Sequence, residues 1–254
     1  MRTLVQRLEY CRELLDGVRV AVARMGDPFE RRWSGLYGDP ASQRQAIDGW
    51  LELIEARGAA WQELERLDEH GIADAGVPAY RHARLLRVQA YMAADWALAD
   101  GVSAWAGRIL CSHAKASNPA NPPNLPDFVR DKDRAIAPVH NAIKGAFGWP
   151  IALSYALRNH FLHDGAHRFF KDHERGSHLA AASESWQCIE ASARKLGGEP
   201  GMHRAEFVDI PSPPEDLRAV IRACEAETDE ALGVLAIAAS GLLKAHLACQ
   251  LGEA

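Results

Sequence analysis

Hydrophobic positions recur at three- to four-residue intervals over most of the chain, the period of an α-helix that buries one face. Residues 3–25 carry Leu4, Leu8, Leu15, Val18 and Val22 at that spacing, which predicts an amphipathic helix. Asp27-Pro28 ends it, and the stretch on to Asp39-Pro40, with two prolines and two glycines, predicts a loop. A second helix is expected from about Ser42 to His70, with Ile47, Leu51, Ile54, Trp61, Leu64 and Leu67 as its apolar stripe, broken by Gly71, Gly76 and Pro78. A third covers 79–113, with Leu85, Val88, Tyr91, Met92, Trp96 and Trp105 mostly inward. The run SNPANPPNLP at 117–126 has no helical reading, because its prolines lack the amide donor and crowd the preceding turn; it predicts a connector.

Beyond the connector, a shorter helical segment is expected at 128–147, kinked at Pro138. Trp149-Pro150 opens a helix that runs through Phe170, with proline in its permitted first turn. Ser183 to Leu196 forms another, closed by Gly197-Gly198, and a last helix starts near Ser212 and runs to about Gln250. Only AEFVDI (205–210) alternates as a strand would. The expectation is an all-α fold, a bundle of six to eight helices. It is read as one helical domain over 1–254, with an N-terminal subdomain at 1–113, a Pro-rich connector at 114–128 and a motif-bearing bundle at 129–254.

Composition narrows the function. With 254 residues, 48% of them hydrophobic, the chain can bury a core without staples. A formal net charge of −5 gives no general pull toward nucleic acid or acidic membranes, so any such contact needs a local basic patch. The five cysteines are odd in number and far apart, with no CxxC, so neither a disulfide framework nor a cysteine zinc site is indicated, and the pattern suits a reducing, cytoplasmic setting. The first fifteen residues carry charges at helical spacing, unlike a signal peptide. The most apolar run, Ala231 to Leu243, is read as a buried helix too short to span a bilayer, so no membrane partner is expected. No Walker loop, GxSxG elbow or HExxH is present.

Chemistry concentrates in SYALRNHFLHDGAHRFF, 154–170, around Arg158-Asn159 and His163. RNA is cleaved by its own 2′-hydroxyl when a base removes that proton and a cation stabilises the phosphorane. Histidine titrates nearest neutrality and suits the first task; the arginine fork binds phosphate bidentately and suits the second. Asn159 and His163, four apart, share a helical face, and Asn159 is placed to orient the histidine or bond the phosphate. Arg158 and His163 stand about 140° apart around the axis, so their convergence needs arginine's reach or a second subunit. Arg108…His113 and Arg168…His173 share the R-x4-H spacing, but Ile109 and Phe169 follow their arginines where a polar residue follows Arg158.

This R-N-x3-H motif, with its small and apolar lead-in ALSYALRN, resembles the HEPN superfamily over about twenty residues. The resemblance implies a helical bundle and a metal-independent endoribonuclease of the kind found in toxin–antitoxin, phage-defence and CRISPR systems. It implies Arg158, Asn159 and His163 as catalytic residues; beside them His160, His167 and Arg168, a basic surface that suits a polyanion, are expected to bind substrate. The resemblance also implies a homodimer with motif helices facing across a cleft, RNA as partner, an antitoxin or sensor protein as a second, and no cofactor. Some family members carry a tyrosine two residues after the histidine; Gly165 stands there, which puts modification at that position in doubt.

Two other constellations compete. His160, His163 and His167 lie on one side of the helix, but their span of about 10 Å exceeds what one ion bridges, so no metal is expected. The seven tryptophans offer stacking surfaces for bases, yet they sit at helical apolar positions and read as core. Gly233, Ala236, Ala239, Ser240 and Gly241 allow close packing of the last helix, in the bundle or at a subunit interface. The alternative to the enzyme is a non-catalytic helical module that binds protein or nucleotide.

Overall fold

The structure is a computed structural model that describes residues 3–70, 78–117, 153, 156–160, 170–173, 176–179, 183–197 and 217–252. These form helices α1 (Leu4–Arg24), α2 (Asp27–Tyr37), α3 (Pro40–His70) and α4 (Pro78–Ser117), a two-stranded hairpin, then α5 (Ser183–Gly197) and α6 (Leu217–Leu251). Residues 156–160 are also helical. The fold is all-α, a multi-helix bundle, with strands β1 (Phe170–His173) and β2 (Gly176–Leu179) as its one antiparallel ornament among the described residues.

Three expectations change. The segment after Pro28 is helix rather than loop, because proline sits in the first turn of α2, where its missing N–H costs nothing. Asp27 and Glu30 complement the amide end of α2, and Trp33 and Tyr37, four apart, bury one face of it. Phe170 is not the end of a helix: it opens β1 and pairs with Leu179, with Lys171 opposite His178. Four residues are too few for alternation to stand out against helical spacing. Finally, the apolar part of α6 is wider than the run 231–243: by length and composition alone the helix is long and apolar enough to cross a membrane, and 39% of its most apolar 18-residue window is buried. The expected helix at 128–147, the connector and the strand-like 205–210 lie outside the described residues.

By its contacts the chain divides into two units, Met1–Glu52 with Leu98–Ile143 and Asp229–Ala254, and Leu53–Ala97 with Lys144–Thr228. Helices α3, α4 and α6 contribute residues to both.

In the first unit, α1 buries Leu4, Leu8, Leu15, Val18 and Val22, the stripe that its spacing predicts, and Cys11 with them. Thr3 and Gln6 close its start reciprocally, as a capping box. Gly233 is where α6 receives α1: a methyl group there would meet Arg7 Cδ at 2.5 Å, and Arg7 pairs with Glu230 at 2.9 Å. Ala236, Ala239 and Ser240 are fully buried beyond it, while Gly241 faces open space. Trp50 packs edge-on to Trp105 and rests on Gly101. The Tyr37 hydroxyl and His246 Nδ1 share a hydrogen bond of 3.0 Å beside Trp33.

The second unit has one continuous apolar cluster. Ala60, Trp61 and Leu64 of α3, Val88, Tyr91 and Met92 of α4, and Leu153, Ala156 and Leu157 meet Trp186, Ile189 and Ala193 of α5 and Leu217, Val220, Ile221 and Cys224 of α6. Five tryptophans (33, 50, 61, 105, 186) are buried as the pattern predicts.

The start of α3 shows how local chemistry fixes an end. Asp39 Oδ2 accepts from the Ser42 amide at 2.9 Å and the Ser42 hydroxyl at 2.7 Å, and Oδ1 accepts from the Ala41 amide at 3.3 Å. The Ser42 hydroxyl, then its amide, hold the carboxyl below its usual range by bonding its charged form. A carboxylate with a lowered folded value adds stability that is complete above its unfolded value, about 3.9, and is lost as pH falls through the folded one. Asp39→Ala is expected to cost about 1 kcal/mol at pH 7 in urea unfolding. That gap should shrink as pH falls below about 4, whereas Asp39→Asn keeps most of the cap at either pH. A gap independent of pH would remove the charged cap.

Candidate functional site

Leu153, Ala156 and Leu157 sit at i, i+3 and i+4 and are buried in the second unit's core, which anchors this turn of helix. The three residues that follow, Arg158, Asn159 and His160, are half-buried. Arg158 Nη1 donates to Asn159 Oδ1 at 3.1 Å, and its guanidinium carbon stands 5.9 Å from the centre of the half-buried Trp96 ring. Arg158 Nε is enclosed and has no hydrogen-bond partner among the described residues. The contacts on this arginine are therefore neutral ones, an amide oxygen and an indole face.

Of the six residues that the sequence singles out, the structure thus brings Arg158 and Asn159 into contact and places His160 on the same turn. His163, His167 and Arg168 lie outside the described residues. The competing arginine of the R-x4-H spacing, Arg108, is exposed on α4. Among the described residues, no group of three or more His, Cys, Asp or Glu is placed to hold a metal ion.

Sequence reasoning missed the polar cluster in the same unit. Arg57 Nη1 of α3 pairs with Asp95 Oδ1 of α4 at 2.7 Å, and both side chains are nearly sealed, at 2% and 4% exposure. Arg57 Nη2 reaches Glu225 Oε1 of α6 at 3.2 Å, and the Tyr91 hydroxyl donates to Glu225 Oε2 at 2.6 Å. Arg222 pairs with Glu225 from the exposed side and stacks 5.3 Å over Trp61. Burial, reinforced by the charges of Asp95 and Glu225, pushes the Tyr91 phenol far above the tyrosine range, so it remains a donor. Burial likewise pushes the Cys224 thiol far up, and as a protonated thiol it is inert. A signal existed: Arg57 falls between Ile54 and Trp61, and Asp95 between Tyr91 and Leu98, so each is a charge in an apolar stripe.

Cys11, Cys188, Cys224 and Cys249 are free. Against known proteins, no family model, no curated protein and no solved structure matches the chain.

Removing one member of a buried ion pair strands its partner's charge in a medium that solvates it badly. Arg57→Met leaves Asp95 enclosed and Glu225 short of a cation, so chemical denaturation should register a loss of about 3–5 kcal/mol. A loss under about 1 kcal/mol would mean that these charges are not held as the geometry places them.

Proposed function

We propose that this chain is a HEPN-like, metal-independent endoribonuclease. The observation that supports it best is the setting of Arg158: a half-buried guanidinium on a core-anchored helix, held by Asn159 and Trp96, neither of which neutralises it. Deeply buried Arg57 meets a carboxylate at 2.7 Å, whereas half-buried Arg158 meets none among the described residues. A positive charge held without one suits an anion that arrives from outside, and a planar fork suits phosphate.

In this reading Arg158 binds the scissile phosphate and stabilises the charge that grows on it, while His163 moves the protons. The substrate's 2′-oxygen gives up its proton and attacks phosphorus, and the bond to the 5′-oxygen breaks. The 5′-oxygen leaves protonated, and a 2′,3′-cyclic phosphate remains. Asn159 orients the arginine, with His160, His167 and Arg168 along the RNA path. No metal enters. The setting is cytoplasmic, with an antitoxin or sensor protein as regulator.

Arg158→Ala and His163→Ala should each abolish RNA cleavage, or cellular toxicity, with the thermal unfolding curve retained. Cleavage should persist in excess EDTA and leave 2′,3′-cyclic phosphate ends. Chelator-sensitive cutting that leaves 5′-phosphate ends would place a metal-bound hydroxide at the histidines and end this mechanism. No cutting of any RNA would leave the non-catalytic binding module.

A second expectation follows from the 140° or so between Arg158 and His163 on a regular helix. A site completed across a two-fold axis makes the active species a dimer in light scattering. Full specific activity from a monomer would remove the composite site.

A further inference from the structure

We infer that Trp96 is a positioning residue for Arg158, and that the indole face sets the guanidinium plane that meets the phosphate. This rests on the endoribonuclease reading, and it adds a residue outside the R-N-x3-H motif. Arginine has a long, flexible stem, and a hydrogen bond from one Nη leaves the fork free to swing about that contact. The Arg158 guanidinium has two restraints of different kinds: Asn159 Oδ1 at 3.1 Å on Nη1, and the Trp96 ring centre at 5.9 Å from Cζ. The first fixes one nitrogen; the second, at the outer edge of cation–π range, favours a guanidinium that stays over the ring and leaves N–H donors for a ligand.

Trp96 is itself placed by its neighbour. Asp95 is locked inward by Arg57, and the next residue on a helix points about 100° away from it. Trp96 is the one described tryptophan that is only half-buried, which distinguishes it from the five that fill the cores.

The test is a double-substitution cycle in single-turnover RNA cleavage, with Trp96→Leu and Trp96→Phe made in the wild type and in Arg158→Lys. Trp96→Leu should lower kcat about tenfold with KM nearly unchanged, and Trp96→Phe, which keeps a ring, should lower it only about threefold. In the Arg158→Lys background, where the planar fork is gone, Trp96→Leu should change kcat less than twofold or so. Equal losses in both backgrounds, or an unchanged kcat in a protein that cuts RNA, would overturn the role of Trp96 and leave the nuclease reading standing. A wild type that cuts no RNA would instead overturn the nuclease reading, and this role with it. If Trp96→Leu does not fold by circular dichroism, the cycle with Trp96→Phe decides, with about a threefold loss expected only where Arg158 is present.

Discussion

The second unit is organised around one guanidinium. Arg57 reaches Asp95 on α4 and Glu225 on α6, so a single side chain of α3 ties three helices in that unit. Such an arrangement is weak as a source of net stability, since taking charges out of water costs about what their attraction returns. Its consequence is alignment. Apolar faces tolerate sliding, because one leucine replaces another at modest cost. A guanidinium between two carboxylates does not, because a shift of one turn carries it away from carboxylates held on two other helices. Tyr91 narrows the choice further, since its phenol keeps its proton and spends it on Glu225.

That alignment reaches the candidate site through sequence neighbours. Asp95 points into the cluster, Trp96 turns toward Arg158, and Leu157, one residue before Arg158, is fully buried among the side chains that pack with Tyr91. Both sides of the Trp96–Arg158 contact therefore stand on residues that the core fixes, which is the support that an arginine needs to keep one orientation.

Much of the helical fold is legible in the chain because each long helix repeats one apolar stripe many times. The stripe of α1 names five of its six buried residues, while those of α3 and α4 catch Ile47, Trp61, Leu64, Val88, Tyr91, Met92 and Trp105 but miss Trp50, Leu98, Val102 and Ile109. Prolines misled the reading where their position in the helix mattered. Pro28, like Pro40 and Pro78, stands in a first turn; the one read as a terminator opened a helix whose burial is carried by only two large residues, Trp33 and Tyr37. The hairpin escaped notice because its pairing is a relation between two four-residue segments, which no single window contains. In the same way, residue type and spacing drew attention to Arg158 and Asn159, whereas their partner Trp96 lies 62 residues away in sequence and is visible only in space.

The two arginines of this unit make the functional argument by contrast. Arg57 spends its charge inside the protein on carboxylates, and its exposure of 2% leaves nothing for a ligand. Arg158 is held by an amide oxygen and an aromatic face, which restrain a guanidinium without cancelling its charge. If the role of Arg158 were to join helices, a carboxylate would serve better than an indole, and α4 has one immediately beside Trp96, already claimed by Arg57. Among the described residues no carboxylate balances Arg158, and a planar fork restrained in this way keeps the geometry that binds phosphate.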